Sequence, residues 1–110
     1  MPMNINHDIH YDFSDVLLKP NNSSIYSRKD VDLTRKIYFP ISQQYWEGVP
    51  IIASNMDTIG TYEVYQILSE HKIITCFHKF YTCEDFEKMD LDPNYFMIST
   101  GINENDFNNL

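Results

Sequence analysis

The chain has 110 residues, 43% of them hydrophobic and 15% aromatic, with a net charge of −8. That is enough apolar material for one small packed domain, and it argues against wholesale disorder. The excess of 16 Asp and Glu over 8 Lys and Arg excludes a general nucleic-acid binder, which needs a basic surface. Small anionic ligands stay open, because a few local donors suffice for them. Cys76 and Cys83 lack metal-type spacing and read as reduced thiols of a cytosolic protein. No cationic flank followed by an apolar stretch opens the chain, so no signal peptide is expected. No apolar run approaches the roughly twenty residues of a membrane span. A soluble, cytoplasmic protein is the expectation.

Residues 1–10 have no periodicity and read as a loose arm. Phe13–Pro20 holds a short apolar core ended by proline, and Asn21–Ser24 reads as a turn. Ser27–Asp30 is expected to be exposed, in a locally basic stretch. Val31, Leu33, Ile37 and Phe39 alternate as in an edge strand, which Pro40 closes. Residues 42–48 read as a loop around Trp46. Residues 1–48 together are expected to form an irregular lead-in with short strands.

A repeating pattern follows. Val49–Ser54 reads as a buried strand tipped by Ser54-Asn55-Met56-Asp57-Thr58. Thr61 is placed to cap a helix with Glu63 in its first turn, and Val64, Ile67 and Leu68 give that helix an apolar face. Ile73–Phe77 is a second apolar strand, tipped by His78-Lys79-Phe80-Tyr81. Thr82 with Asp85 resembles a capping box, and Phe86 and Met89 continue at helical spacing. Tyr95–Ile98 is a third strand, tipped by Ser99-Thr100-Gly101. Asn103 with Asp106 reads as another cap, with Phe107 and Leu110 beginning a further helical face.

Strand starts at residues 49, 73 and 95 alternate with helices, which means βα units and a parallel sheet. No Gly-x-Gly-x-x-Gly or Walker sequence follows any strand, so the usual dinucleotide and P-loop signatures are absent. The large class left is the (β/α)8 barrel, which takes about 250 residues. The expectation is an α/β fold: the N-terminal part of a TIM barrel, with about three βα units over residues 49–110 belonging to a single longer domain. Three parallel strands alone leave an edge and apolar surface uncovered, so the isolated chain is expected to be marginal or to associate.

Barrel enzymes carry their chemistry at the carboxyl ends of the strands. That rule selects the three polar tips, although strand ends are polar in any protein because loops are. Lys79 is the sharpest candidate, since an ammonium at a strand tip can hold a phosphate or hydrogen-bond a leaving amine. Its alternative is a solvated surface lysine. His78 suits acid–base work or a structural role pinned by a backbone carbonyl. Asp57 is expected to act as a cap or within a network, and Met56 to pack against a flat ring or simply in the core. Cys76 reads as buried and inert, and Cys83 as a bystander at a helix start. Ser27 and Arg28 can bind a phosphate, against the alternative of a solvated loop.

Several stretches together resemble a known family. Asp15-Val16-Leu17-Leu18-Lys19-Pro20, Ser27-Arg28-Lys29-Asp30-Val31-Asp32-Leu33, Gly48–Ala53, Asn55-Met56-Asp57-Thr58-Ile59-Gly60-Thr61 and His78-Lys79-Phe80-Tyr81 resemble, in order and spacing, the N-terminal third of the GMP reductase family. That family shares its barrel with IMP dehydrogenase. The resemblance favours the reductase, because the dehydrogenase has proline where this chain has Asn55 and lacks His-Lys-x-Tyr. The dehydrogenase also usually carries inserted regulatory domains, where here a third strand follows directly.

The resemblance implies NADPH-dependent reductive deamination of GMP to IMP and ammonia. A cysteine attacks the purine and expels ammonia, and NADPH then reduces the covalent adduct. Lys79 would contact NADPH and assist ammonia departure. Ser27 and Arg28 would bind NADPH held by a neighbouring subunit, which implies a homo-oligomer, in this family a tetramer. Met56 and Ser54 would line the nucleotide pocket. The catalytic cysteine, a potassium-binding loop and the GMP-phosphate loops would all lie beyond Leu110, so this chain alone is expected to be inactive. Neither Cys76 nor Cys83 matches the nucleophile. Three positions depart from the family: Ser54 replaces an alanine, Phe80 a histidine, and Ile102 a small hydroxyl residue. The alternatives are an IMP dehydrogenase-like oxidoreductase and a non-catalytic chain that binds intact subunits.

Overall fold

The computed structural model describes residues 5–108, apart from the side chain of Phe107. The helical face expected from Phe107 and Leu110 therefore lies outside the described residues. The chain divides into two compact units, Met1–Val31 and Asp32–Leu110.

In the first unit, two single 3-10 turns, Phe13–Asp15 and Arg28–Asp30, are the regular structure among the described residues. Both are made by local side chains. Asp12 and Asp15 form a reciprocal capping box around the first turn, and Ser27 Oγ accepts the Lys29 amide at 3.3 Å at the second. The expected apolar core of Phe13–Pro20 does not form, since Leu17 and Leu18 are each 98% exposed. Every described side chain of residues 5–31 is exposed.

The second unit begins with an antiparallel hairpin of β1 (Arg35–Phe39) and β2 (Gln44–Gly48). The expected edge strand is thus shorter than Val31–Phe39, and the expected loop over residues 42–48 is mostly strand. Gln-Tyr-Trp-Glu-Gly has no apolar alternation, so pairing with β1 decides its conformation. Tyr38 and Tyr45 stand opposite one another with ring centroids 4.9 Å apart. Gln43 closes the hairpin in the left-handed region, at φ 54°. Trp46 Nε1 donates to the Asn94 carbonyl at 2.7 Å. That bond ties the hairpin to the segment just before the last strand.

Three parallel strands follow: β3 (Ile52–Ala53), β4 (Ile74–Phe77) and β5 (Phe96–Ile98), in the spatial order β3-β4-β5. The expected parallel βα pattern is present, as a mixed α/β fold. The first strand is shorter than the expected Val49–Ser54. Pro50 has no amide for a ladder, and the Ile51 amide bonds back to the Val49 carbonyl at 2.7 Å. Nor is that strand buried, with Ile51 56% and Ile52 54% exposed.

The helices are α1 (Tyr62–Glu70), α2 (Cys83–Glu87) and α3 (Glu104–Asn108). Thr61 caps α1, its hydroxyl accepting the Val64 amide, and Thr82 with Asp85 makes the expected capping box on α2. Thr61 is thus the cap of α1 that the sequence offered. The helix ends in a Schellman turn, with the Lys72 amide on the Ser69 carbonyl and the Ile73 amide on the Leu68 carbonyl, both at 3.0 Å. Lys72 occupies the left-handed position of that turn, at φ 58°.

The core lies between α1 and the sheet, and Phe77 is its centre. Phe77 is fully buried, and the rings of Tyr65, Tyr81, Phe86 and Phe96 surround it at 5.5–5.9 Å. Burying one phenylalanine contributes about 1.5–3 kcal/mol. The buried residue of α1 is Tyr65, at 3% exposure, whereas Ile67 on the expected apolar face is 63% exposed. Tyr65 meets the sheet through its ring contacts with Phe77 and Phe96, and tyrosine takes a core place because its oxygen finds a partner. Tyr65 Oη accepts the Asp92 amide at 2.7 Å. On the opposite sheet face, Ile52 and Met97 remain 54% and 43% exposed.

Candidate functional site

The three polar tips meet at one end of the parallel sheet. Parallel strands in chain order put all their carboxyl ends on the same side. The Asn55 side-chain amide donates to Ser99 Oγ at 3.0 Å, linking the first tip to the third. Cys76 Sγ lies 3.7 Å from the same hydroxyl. Cys76 is half-buried and not fully enclosed as expected; its neighbour in the next strand, Met97, is 43% exposed.

The first tip is tied to the second through the backbone. Residues Met56–Gly60 turn tightly, with the Gly60 amide on the Met56 carbonyl at 2.7 Å. The Gly60 carbonyl then accepts the His78 amide at 3.0 Å. A side chain at Gly60 would run into the Cys76 carbonyl, so only glycine lets the turn approach the strand this closely.

The second tip is an aromatic stack. The His78 ring lies on the Tyr81 ring, with centroids 4.2 Å apart and planes 14° from parallel. His78 Nδ1 accepts the Phe80 amide at 3.2 Å, which leaves Nε2 as the protonated nitrogen of the neutral ring. The histidine is held by a backbone amide where a carbonyl was expected, because its Nδ1 faces the Phe80 N–H across the turn. Tyr81 Oη accepts the Tyr62 amide at 3.1 Å. Lys79 is exposed, and its Nζ lies 5.4 Å from the centroid of the Phe80 ring.

Between the second and third tips runs a cleft of about 760 Å³. Its walls include Lys79, Phe80, Phe86, Ile98, Ser99 and Thr100. A cation, an aromatic ring and two hydroxyls around an apolar floor suit a flat polar ring better than a polyphosphate. Glu84 and Asp106 also border the cleft and would oppose a second negative charge. The described residues of the cleft can take a flat polar ring, and among the lining residues Lys79 alone carries a positive charge.

The remaining sequence candidates fall elsewhere. Ser54 and Met56 stand at the first tip, both exposed, Met56 at 55%, and among the described residues they line no part of this cleft. Ser27 and Arg28 belong to the first unit, where Arg28 is exposed on its 3-10 turn. Cys83 opens α2 and lines the cleft, and both cysteines are thiols. Among the described residues, no group of three or more His, Cys, Asp or Glu could hold a metal ion. No described helix is long and apolar enough to cross a membrane.

Asn55 and Tyr81 were legible in the sequence only as parts of their motifs. Their partners lie 44 and 19 residues away; the spacing of the strand tips signalled the meeting of Asn55 with Ser99, and no spacing signalled that of Tyr81 with Tyr62.

No family model matches the chain. Individual proteins do. A GMP reductase of Vibrio vulnificus is 41% identical over 96% of this chain, one of Salmonella paratyphi C is 43% identical over the same share, and one of Citrobacter koseri is 42% identical. In each case the chain covers 32% of the relative. The resemblance read from the motifs is thus borne out: over almost its whole length this chain is similar to GMP reductases, and it spans about a third of theirs.

Proposed function

We propose that this chain is the N-terminal part of an NADPH-dependent GMP reductase, which converts GMP to IMP and ammonia in purine nucleotide interconversion. The observation that carries this reading is 41–43% identity to GMP reductases across 96% of the chain. The parallel sheet, with its polar tips together at one end, supports the further reading that these strands begin a (β/α)8 barrel.

NADPH, when bound, supplies the hydride. The chain's own part is binding and proton handling at the strand tips. Lys79 faces the cleft with three ammonium donors, enough to hydrogen-bond both a cofactor amide and a departing amine. Phe80 and Ile98 offer apolar surface against which a ring can lie, and help exclude water from the reacting atoms. Ser54 and Met56 would face the nucleotide from the first tip. Ser27 and Arg28 would serve an NADPH bound on a neighbouring subunit of a homotetramer. The nucleophilic cysteine and the potassium site belong to the remaining length that the relatives have, and the setting is the cytoplasm.

The test is an assay of the protein with and without that remaining length. Extended, it is expected to oxidise NADPH in the presence of GMP, and Lys79→Ala is expected to lower the rate about a hundredfold. The 110-residue chain by itself is expected to be inactive. IMP-dependent reduction of NAD in place of GMP-dependent oxidation of NADPH would overturn the reading.

A further inference from the structure

Lys79 is a long side chain on an exposed turn, and an exposed ammonium has many rotamers to lose before it can act. Its aim depends on how firmly the turn beneath it is held. The turn is held from below by His78, whose amide reaches the Gly60 carbonyl and whose ring nitrogen takes the Phe80 amide. These two bonds flank Lys79 on either side in sequence. The His78 ring is in turn laid flat on Tyr81.

Tyr81 is the member of this group that is anchored outside the turn. Its ring stands edge-on to Phe77 and to Phe86 at 5.6 and 5.8 Å, which seats it on the core. Its oxygen takes the amide of Tyr62, the first residue of α1 and one of the helix's orphan donors. The phenol therefore performs, from another element, the service that caps usually perform locally. Tyr62 repeats the device, its Oη accepting the Asp90 amide at 3.2 Å.

We infer that Tyr81 is a positioning residue for Lys79, acting through the stacked His78 and anchored on the N-terminus of α1. The inference rests on the reading that Lys79 serves the reaction. It goes beyond that reading by assigning a role to the tyrosine of the His78–Tyr81 stretch, whose side chain has no part in the chemistry itself.

Tyr81→Phe separates the two functions of the residue, because it keeps the ring under His78 and removes only the oxygen. Amide hydrogen exchange in the chain itself reads the anchoring. The expected result is exchange about tenfold faster at Tyr62 and a smaller acceleration at Phe80, with Thr75 and Phe77 in β4 unchanged. Unchanged exchange at Tyr62, or an acceleration shared by the whole sheet, overturns the inference. GMP-dependent NADPH oxidation by the extended protein reads the consequence. Tyr81→Phe is expected to lower kcat about tenfold with KM for GMP nearly constant, and to cost nothing further in a Lys79→Ala background. Equal losses in both backgrounds would mean that Tyr81 does not act through Lys79, and would overturn the inference. Absence of activity in the unsubstituted extended protein would sink the functional reading instead. The exchange pattern at Tyr62 and Phe80 would then still decide whether Tyr81 holds the turn.

Discussion

Asn55 donates its side-chain amide to the hydroxyl of Ser99, and this bond at 3.0 Å bridges the two outer strands over the tip of the middle one. The same hydroxyl lies 3.7 Å from the Cys76 thiol, so one small side chain organises three strand ends. Ser99→Ala is expected to lower stability by about 0.5–1 kcal/mol, since water can take over the exposed Asn55 amide. Urea unfolding measures that loss. Alkylation of Cys76 is expected to quicken in the same variant, and unchanged values of both would mean that the bridge does not form in solution.

Thr75 is fully buried, and among the described residues its hydroxyl has no hydrogen-bond partner. Valine has nearly the same shape without the oxygen. Thr75→Val is expected to raise stability by about 1 kcal/mol, seen as a higher urea midpoint at constant slope. A lower midpoint would show that the hydroxyl is bonded after all.

Lys72 ends α1 in the left-handed region, where a Cβ is a burden and glycine is not. Lys72→Gly is expected to stabilise the protein by about 0.5–1 kcal/mol. The hydrogen bonds of that turn use the backbone, so the substitution leaves them in place. Thermal unfolding is the measurement, and a fall in Tm would count against the turn as described.

Asp85 accepts the Thr82 backbone amide and hydroxyl, and these bonds hold its carboxyl below its ordinary value of 3.8. A carboxyl depressed by folding stabilises the folded state above its unfolded value, and that stabilisation is lost as pH falls through the folded value. The start of α2 is therefore expected to loosen below about pH 4, with no change between neutrality and that point. Chemical shifts of Thr82 and Asp85 followed against pH would show it. Asp85→Asn should remove the pH dependence, and a transition that persists in that variant would assign it to another group.

The parts of the fold that were legible in the sequence are those made by near neighbours or by long apolar runs. Thr61, and Thr82 with Asp85, were readable because a cap and its amide lie three residues apart. β4 was readable because four residues with a buried or half-buried side chain run together. The hairpin was half legible: Gln44–Gly48 has no pattern of its own, and only the partner strand makes it extended. Tyr65 was missed because the residues counted for the α1 face were Val64, Ile67 and Leu68, while the core was built from rings. The three phenol oxygens that take backbone amides join residues 19 to 28 apart, and no local spacing encodes that. At the site, the spacing of the tips announced that Asn55, His78 and Ser99 would share one end of the sheet. The chemistry of their contacts came only with the coordinates.

The order β3-β4-β5 in space repeats the order in the chain. Each new strand therefore docks beside the one made just before it, and the loop to be closed is never longer than one βα unit. Loop-closure entropy stays small under that rule, and each addition leaves a fresh edge for the next. A sheet laid down in this way can grow as it leaves the ribosome, one unit at a time, without undoing any earlier pairing.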